Sequence, residues 1–279
     1  VKVVIQKFGE IPEERVRNTL SVIQECYEGL RPHGVEILDL LLFSDPSNMS
    51  SLYSQERSRL RVVSEDLGES FIAMHDAWGG TSRIGVCMSR MTELPRLIQV
   101  GILRHEVGHS VLHGSLEYYF FPVGAPLMEA TKSIGPAKGY SFNLLYLISI
   151  AVKDFEVTRL LSEKGYFDDQ VAYSNYVLGT VNEDLDAWQL SKGNPAAMSL
   201  CLAGRLKDAT CLVALQPKLG ERSVADAVRG QLSYLPHPIL NGMLKTLRKL
   251  PRIMVGDSFQ NVALMMKVFV EDLLQPLSA

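Results

Sequence analysis

Residues 83–113 read RIGVCMSRMTELPRLIQVGILRHEVGHSVLH, and the chain changes character inside them. Arg83 to Ser89 is apolar and alternating enough for a strand, whereas after Met91 the strand signals vanish. Thr92 is placed to cap a helix, and Pro95 is tolerated in a first turn, so a helix is predicted from there to about His113. Leu97, Ile98, Ile102, Val111 and Leu112 give that helix an apolar character suited to a core.

Upstream of this junction strands and helices alternate. Val3-Val4-Ile5 reads as a strand, and Pro12 to Leu30 carries helical spacing through Val16, Leu20, Ile23 and Tyr27. Val35 to Phe43 reads as a buried strand, and Asn48 to Leu60 as a polar helix. Ser70 to Trp78 is predicted to pair with Arg83 to Ser89 through the turn Gly79-Gly80-Thr81-Ser82. Downstream, an aromatic, Gly- and Pro-containing loop is expected from Gly114 to Gly139, including Tyr118, Tyr119, Phe120, Phe121 and Pro122. Helical patterns then cover about Ser141–Lys164, Asp168–Leu190, Pro195–Leu206, Val224–Leu232, Pro238–Leu247 and Ser258–Leu274. The expected class is α+β: a small N-terminal mixed sheet with its helix, then an all-helical region. The division expected is a core over 1–164 and a helical region over 165–279, packed on the core.

Composition narrows the function classes. The 279 residues carry 28 Lys+Arg against 31 Asp+Glu, a net charge of −3, with 47% apolar and 21% charged residues. A near-balanced charge with no basic block argues against a nucleic-acid or anionic-membrane surface as partner. Cys26, Cys87, Cys201 and Cys211 form no CxxC pair, so thiolate metal sites and a disulfide framework are not expected, and a cytoplasmic address with reduced thiols is. Val1 to Ile5 is too short for a secretory apolar region, and the uncharged stretch Gly139–Val152 falls short of the roughly 18 residues a membrane span needs.

The chemistry sits in His105-Glu106-Val107-Gly108-His109. Two histidines four residues apart on a helix share one face, where both imidazoles can reach a single ion. The glutamate after the first histidine lies beside that ion, positioned to take a proton from water.

Over roughly Phe71 to Leu161 the sequence resembles the HExxH zinc metallopeptidases, and within the zincins their gluzincin branch. The resemblance implies a zincin-like mixed sheet, an active helix bearing His105, Glu106 and His109, and a third ligand from a carboxylate on a later helix. It implies Zn²⁺ as cofactor and a peptide or protein as substrate. The stretch after about Gly165 resembles no family.

Four residues compete for the third ligand. His113 extends the run to HExxHxxxH, but about 12 Å of unbroken helix separates it from His105, and three such imidazoles converge poorly. Metzincins break the helix with a glycine after the second histidine; here Ser110 stands there and Gly114 comes later. A cleft or ligand-supporting role suits His113 better. In Lys153-Asp154-Phe155-Glu156-Val157-Thr158, a projection at 100° per residue puts Asp154 on an arc with Leu147, Ile150, Ala151, Val157, Thr158 and Leu161. Glu156 falls among Ser149, Lys153 and Arg159, as a solvated ion-pair partner would. The gluzincin pattern E-x-x-[AV]-[DN] aligns with Asp154 to Thr158, departing by Asp for Glu and by Thr158 for Asp or Asn. Glu129, 20 residues after His109, matches a spacing some gluzincins use but lacks an acidic or amide partner at Ser133. Asp154 is the expected ligand, with Glu156, Glu129 and His113 as its rivals.

Weaker readings complete the picture. Arg83 to Ser89 is expected as an edge strand able to bind an extended peptide. Tyr118, Tyr119, Tyr140 and His237 are open as oxyanion donors. His33 and His75 read as structural or surface residues, and Cys201 and Cys211 as small buried hydrophobes. The expected activity is peptide-bond hydrolysis, with zinc on His105, His109 and Asp154 polarising water and carbonyl and Glu106 moving the proton. A metal-dependent hydrolase of non-peptide amides and a non-catalytic, metal-stabilised interaction protein are the alternatives.

Overall fold

The computed structural model describes residues 1–60, 71–134 and 139–277. Ser70, expected to begin a strand, and residues 135–138 of the expected long loop lie outside the described residues. The chain divides into two compact units, one of residues 1–120 with 160–173, the other of 121–159 with 174–279.

The first unit runs β1 (Lys2–Phe8), α1 (Glu13–Gly29), β2 (Ile37–Phe43), α2 (Pro46–Leu60), β3 (Ala73–Asp76), β4 (Arg83–Cys87), α3 (Met88–Glu93) and α4 (Arg96–His113). Its four strands lie in the order β1-β2-β4-β3. β1, β2 and β4 are parallel, linked across helices as parallel strands require, while β3 runs antiparallel to β4. Arg83–Cys87 is therefore an inner strand, not the expected edge. The edge beside it is β3, from which the tight Gly79–Ser82 reversal leads the chain into β4, between β3 and β2.

Register assigns the two faces of the sheet. Leu40, Ile84 and His75 are paired across β2, β4 and β3 and so share one face, toward α4, which packs on β3 and β4 with α1 beside it. Leu41, Gly85 and Met74 share the other, where Met49 and Tyr53 of α2 join Leu41, Phe43, Trp78 and Cys87 in a core. Gly85 is required there, since a Cβ would stand 2.5 Å from the Tyr53 hydroxyl. Arg83 ties this face together. It donates to Glu56 of α2 at 2.6 and 2.9 Å and to the buried Asp76 at 2.9 Å.

The expected N-cap at Thr92 is corrected. Cys87 leads into α3, so strand character ends earlier than Met91. Thr92 lies within that short helix, its Oγ1 donating to the Met88 and Ser89 carbonyls at 2.9 and 3.0 Å. Pro95 takes the cap position of α4, and Gln99 turns back to donate to the Leu94 carbonyl at 2.8 Å.

The remaining helices are α5 (Ala125–Ile134), α6 (Tyr140–Glu163), α7 (Phe167–Leu178), α8 (Asn182–Ser191), α9 (Pro195–Ala214), α10 (Gln216–Leu219), α11 (Glu221–Gln231), α12 (His237–Ile253) and α13 (Ser258–Phe269). A π-helical turn, Val270–Leu274, follows directly. The last turn of α6, from Leu160, and α7 as far as Tyr173 belong to the first unit, and the rest of both helices to the second. Leu144, Ile148, Phe155, Leu206, Leu212, Met243, Leu247 and Phe269 lie in the second unit's core.

Three expectations change here. The Gly114–Gly139 stretch holds a short 3-10 turn, Leu116–Tyr119, and the helix α5. The single helix over Asp168–Leu190 is two, because the chain turns at Gly179. There Arg205 donates to the Leu178 carbonyl and the Thr180 hydroxyl to that of Gln231, at 2.5 and 2.6 Å. α12 continues past Leu247 through Pro251, which sits in its last turn. Among the described residues no helix is long and apolar enough to cross a membrane.

Candidate metal centre

The buried face of α4 carries Ile102, His105, Glu106, Val107 and His113. His105 and His113 are 1% exposed and Glu106 is 7% exposed. Helical spacing brings the Nε2 atoms of His105 and His109 to 3.1 Å, with the rings edge to face. Two imidazole nitrogens on one tetrahedral zinc, each at about 2.0–2.1 Å, stand about 3.3 Å apart. The pair is thus close to bidentate geometry. His109 turns its other nitrogen, Nδ1, toward Nδ1 of His113 at 3.4 Å, and the His113 ring meets Tyr118 at 5.2 Å.

Two further aromatic groups flank the pair. Tyr173 of α7 lies with its ring 4.6 Å from that of His105. His75 of the edge strand β3 lies parallel to His109 at 6.2 Å, while its Nε2 meets the Ser82 hydroxyl at 2.7 Å. His75 is therefore beside α4, although in sequence it reads as a structural or surface residue. Only the two-residue repeat of β3 could have indicated its face, and the repeat does not say which helix covers that face. Tyr173 had no sequence signal at all, being 68 residues from His105 in the chain.

Gly101, one turn before His105, makes the approach of α7 feasible. A Cβ there would stand 2.5 Å from the Asp169 carbonyl oxygen and 2.9 Å from Cβ of Tyr173. Gln170 donates to the Gly101 carbonyl at 3.1 Å. Arg104 pairs with Asp169 and with Glu25 of α1, and its guanidinium lies 4.2 Å from the centre of the Tyr166 ring. These contacts fix the rotation of α4 about its axis, and with it the direction of the two imidazoles.

On α6 the rival carboxylates separate. Asp154 is on α6 in the part that belongs to the second unit, whereas His105 and His109 are on α4 in the first. Glu156 is not the solvated residue expected. It is 6% exposed and accepts hydrogen bonds from Ser258 and Asn261 of α13, both at 2.6 Å. The projection misplaced it because a helix enclosed on several sides has no single solvent face. Arg159 donates to the Met254 carbonyl at 2.6 Å. Glu129 lies exposed on α5. Lys153 is half-buried, and burial pushes its pKa down to about 8 against the opposing charges of Asp154 and Glu156. Cys211 lies near Asp154 and Thr158, and burial, then the Asp154 charge, pushes its thiol well above the usual range.

No protein-family model matches this chain, and neither does any curated protein or solved structure. The functional reading rests on the residues alone.

Two of the four residues left open as oxyanion donors have hydrogen-bond partners of their own. Tyr140 is buried against the Ser199 hydroxyl, and His237 opens α12 with its Nδ1 3.2 Å from the Asn241 amide. Tyr118 is beside His113.

Proposed function

We propose that the protein is a zinc-dependent metallopeptidase with His105, His109 and Asp154 as metal ligands and Glu106 as the proton-transfer group. The observation that carries this reading is the pair of imidazoles on α4, their Nε2 atoms 3.1 Å apart, with Glu106 following His105 on the same buried helix face. Two neutral imidazoles and one carboxylate are a donor set that suits zinc, and three protein ligands leave a coordination position open, as a catalytic site requires and a structural one does not.

When bound, zinc supplies Lewis acidity toward a water and toward the scissile carbonyl. The chain's own residues do the rest. Glu106 takes the proton from the attacking water and delivers it to the departing amine. For both imidazoles to offer Nε2 to the metal, their protons must sit on Nδ1, so His109 donates from Nδ1 and His113 accepts at its own Nδ1. His113 then holds the ring of His109 in the ligand orientation. Tyr173 and the Gly101 approach do the same for His105 by packing.

Elemental analysis of the purified chain tests the reading together with peptide hydrolysis. One zinc per chain is expected, absent in His105→Ala. Glu106→Gln should retain that zinc while kcat falls about 10²- to 10⁴-fold, the usual worth of a positioned proton-transfer group. Zinc-free protein, or cleavage at the wild-type rate by Glu106→Gln, defeats the proposal.

A further inference from the structure

The net charge of −3 conceals a local excess. Residues 245–252 hold Lys245, Arg248, Lys249 and Arg252 with no acidic residue among them. On α12 these occupy positions i, i+3, i+4 and i+7, so they form one stripe about 10 Å long. The opposite face buries Met243, Leu244, Leu247 and Leu250 in the core. The four cations and Ile253 line an open groove of about 300 Å³.

Repulsion along such a stripe disfavours it unless something offsets the charge. Two acids do so in part. The Asp272 carboxylate, 2% exposed in the turn after α13, pairs with Lys245 at 2.9 Å and with Lys249. Glu221 reaches Arg248 at 3.6 Å. Four positive charges against two negative leave the groove with a surplus of two. The Asp272 pairings also hold two ammonium groups in fixed positions, which lowers the ordering cost of a ligand that needs both. Arg248 and Arg252 add planar donor forks suited to tetrahedral oxyanions.

We propose that this groove of α12 binds clustered phosphate groups, carried by a soluble polyphosphate or by an anionic lipid headgroup. A single carboxylate would satisfy one cation. Neighbouring phosphates, each bearing about 1.5–2 charges near neutral pH, match a row of four. The inference does not depend on the zinc centre.

The test uses the full chain with two probes. Inositol hexakisphosphate is titrated calorimetrically at low salt and again at 0.5 M salt. In parallel, the chain is sedimented with phosphatidylcholine vesicles, with and without phosphatidylinositol bisphosphate. Binding that weakens strongly with salt is expected for at least one probe. A response to the soluble probe alone assigns a free polyphosphate, and a response to the bisphosphate vesicles alone assigns a lipid. The double variant Arg248→Gln/Arg252→Gln leaves Asp272 paired with its lysines. It should weaken binding about 25-fold, at about fivefold per cation. Arg15→Gln/Arg17→Gln on α1 removes the same charge elsewhere and should change binding by no more than about twofold. The proposal is overturned if neither probe binds at low salt, or if the α12 variant binds as tightly as wild type.

Discussion

α4 and α12 each carry a row of nitrogen-bearing side chains at helical spacing, and the two rows sit in opposite surroundings. On α4 the row is His105, His109 and His113, with both end residues 1% exposed and the ring nitrogens turned toward one another. On α12 it is Lys245, Arg248, Lys249 and Arg252, directed into an open groove. An imidazole can be buried because it can shed its proton, and once neutral it offers a lone pair to a metal. An ammonium or guanidinium group keeps its charge and so stays at the surface, where it recruits anions. Spacing alone does not separate the two. The ability of the side chain to become neutral does.

The largest effect expected from breaking this contrast lies at the partner carboxylates. Asp154→Ala removes one of three proposed ligands, so zinc affinity should drop by more than the 10- to 100-fold typical of residues that only support ligands. Glu156→Ala should leave zinc affinity near wild type. It would instead leave Ser258 and Asn261 without their shared acceptor, costing on the order of 1–3 kcal/mol in stability. Zinc titration against a chromophoric chelator reads the first effect, and urea unfolding of metal-free protein reads the second. Reversal of the two results would move the third ligand to Glu156.

Asp154 and Glu156 differ in the kind of information that their placement needs. Asp154 falls on an apolar arc, and periodicity reports that directly. Glu156 faces Ser258 and Asn261, more than 100 residues further along the chain, and no local pattern encodes that partnership. The same division holds elsewhere. The strand–helix alternation and the HExxH pair were readable because each depends on a few consecutive residues. The inner position of Arg83–Cys87, the placement of His75 and the packing of Tyr173 on His105 depend on strand order and helix approach, which the local pattern leaves open. The cation stripe of α12 was readable in principle, since Lys245 to Arg252 is a local pattern. The nearly balanced total charge concealed it.

A smaller effect is expected at His113. His113→Leu keeps the buried volume nearly constant but removes the acceptor 3.4 Å from Nδ1 of His109. Zinc affinity should fall about 10- to 100-fold, and His113→Asn, which retains a hydrogen-bonding group, should recover part of the loss. Competition with a calibrated chelator measures both. Equal affinity in wild type and His113→Leu would mean that the packing around His109, without the histidine pair, sets its orientation.

The smallest effect belongs to the cation row and appears only as acid is added. Burial raises the pKa of Asp272, but Lys249 and Lys245 more than offset it, so the carboxyl lies below its ordinary value. A depressed folded-state pKa contributes stability that is complete above the unfolded value, about 3.9, and is lost as pH falls through the folded one. Asp272→Asn should therefore be less stable than wild type at pH 7, and the gap should narrow as pH drops below about 4. Urea midpoints measured from pH 7 to pH 3 follow it. The variant also leaves Lys245 and Lys249 facing Arg248 and Arg252 with one fewer anion among them. Added salt, by screening that repulsion, should restore part of its stability at neutral pH. A gap that stays constant across both series would mean that Asp272 acts through packing, and that the four cations hold their row without it.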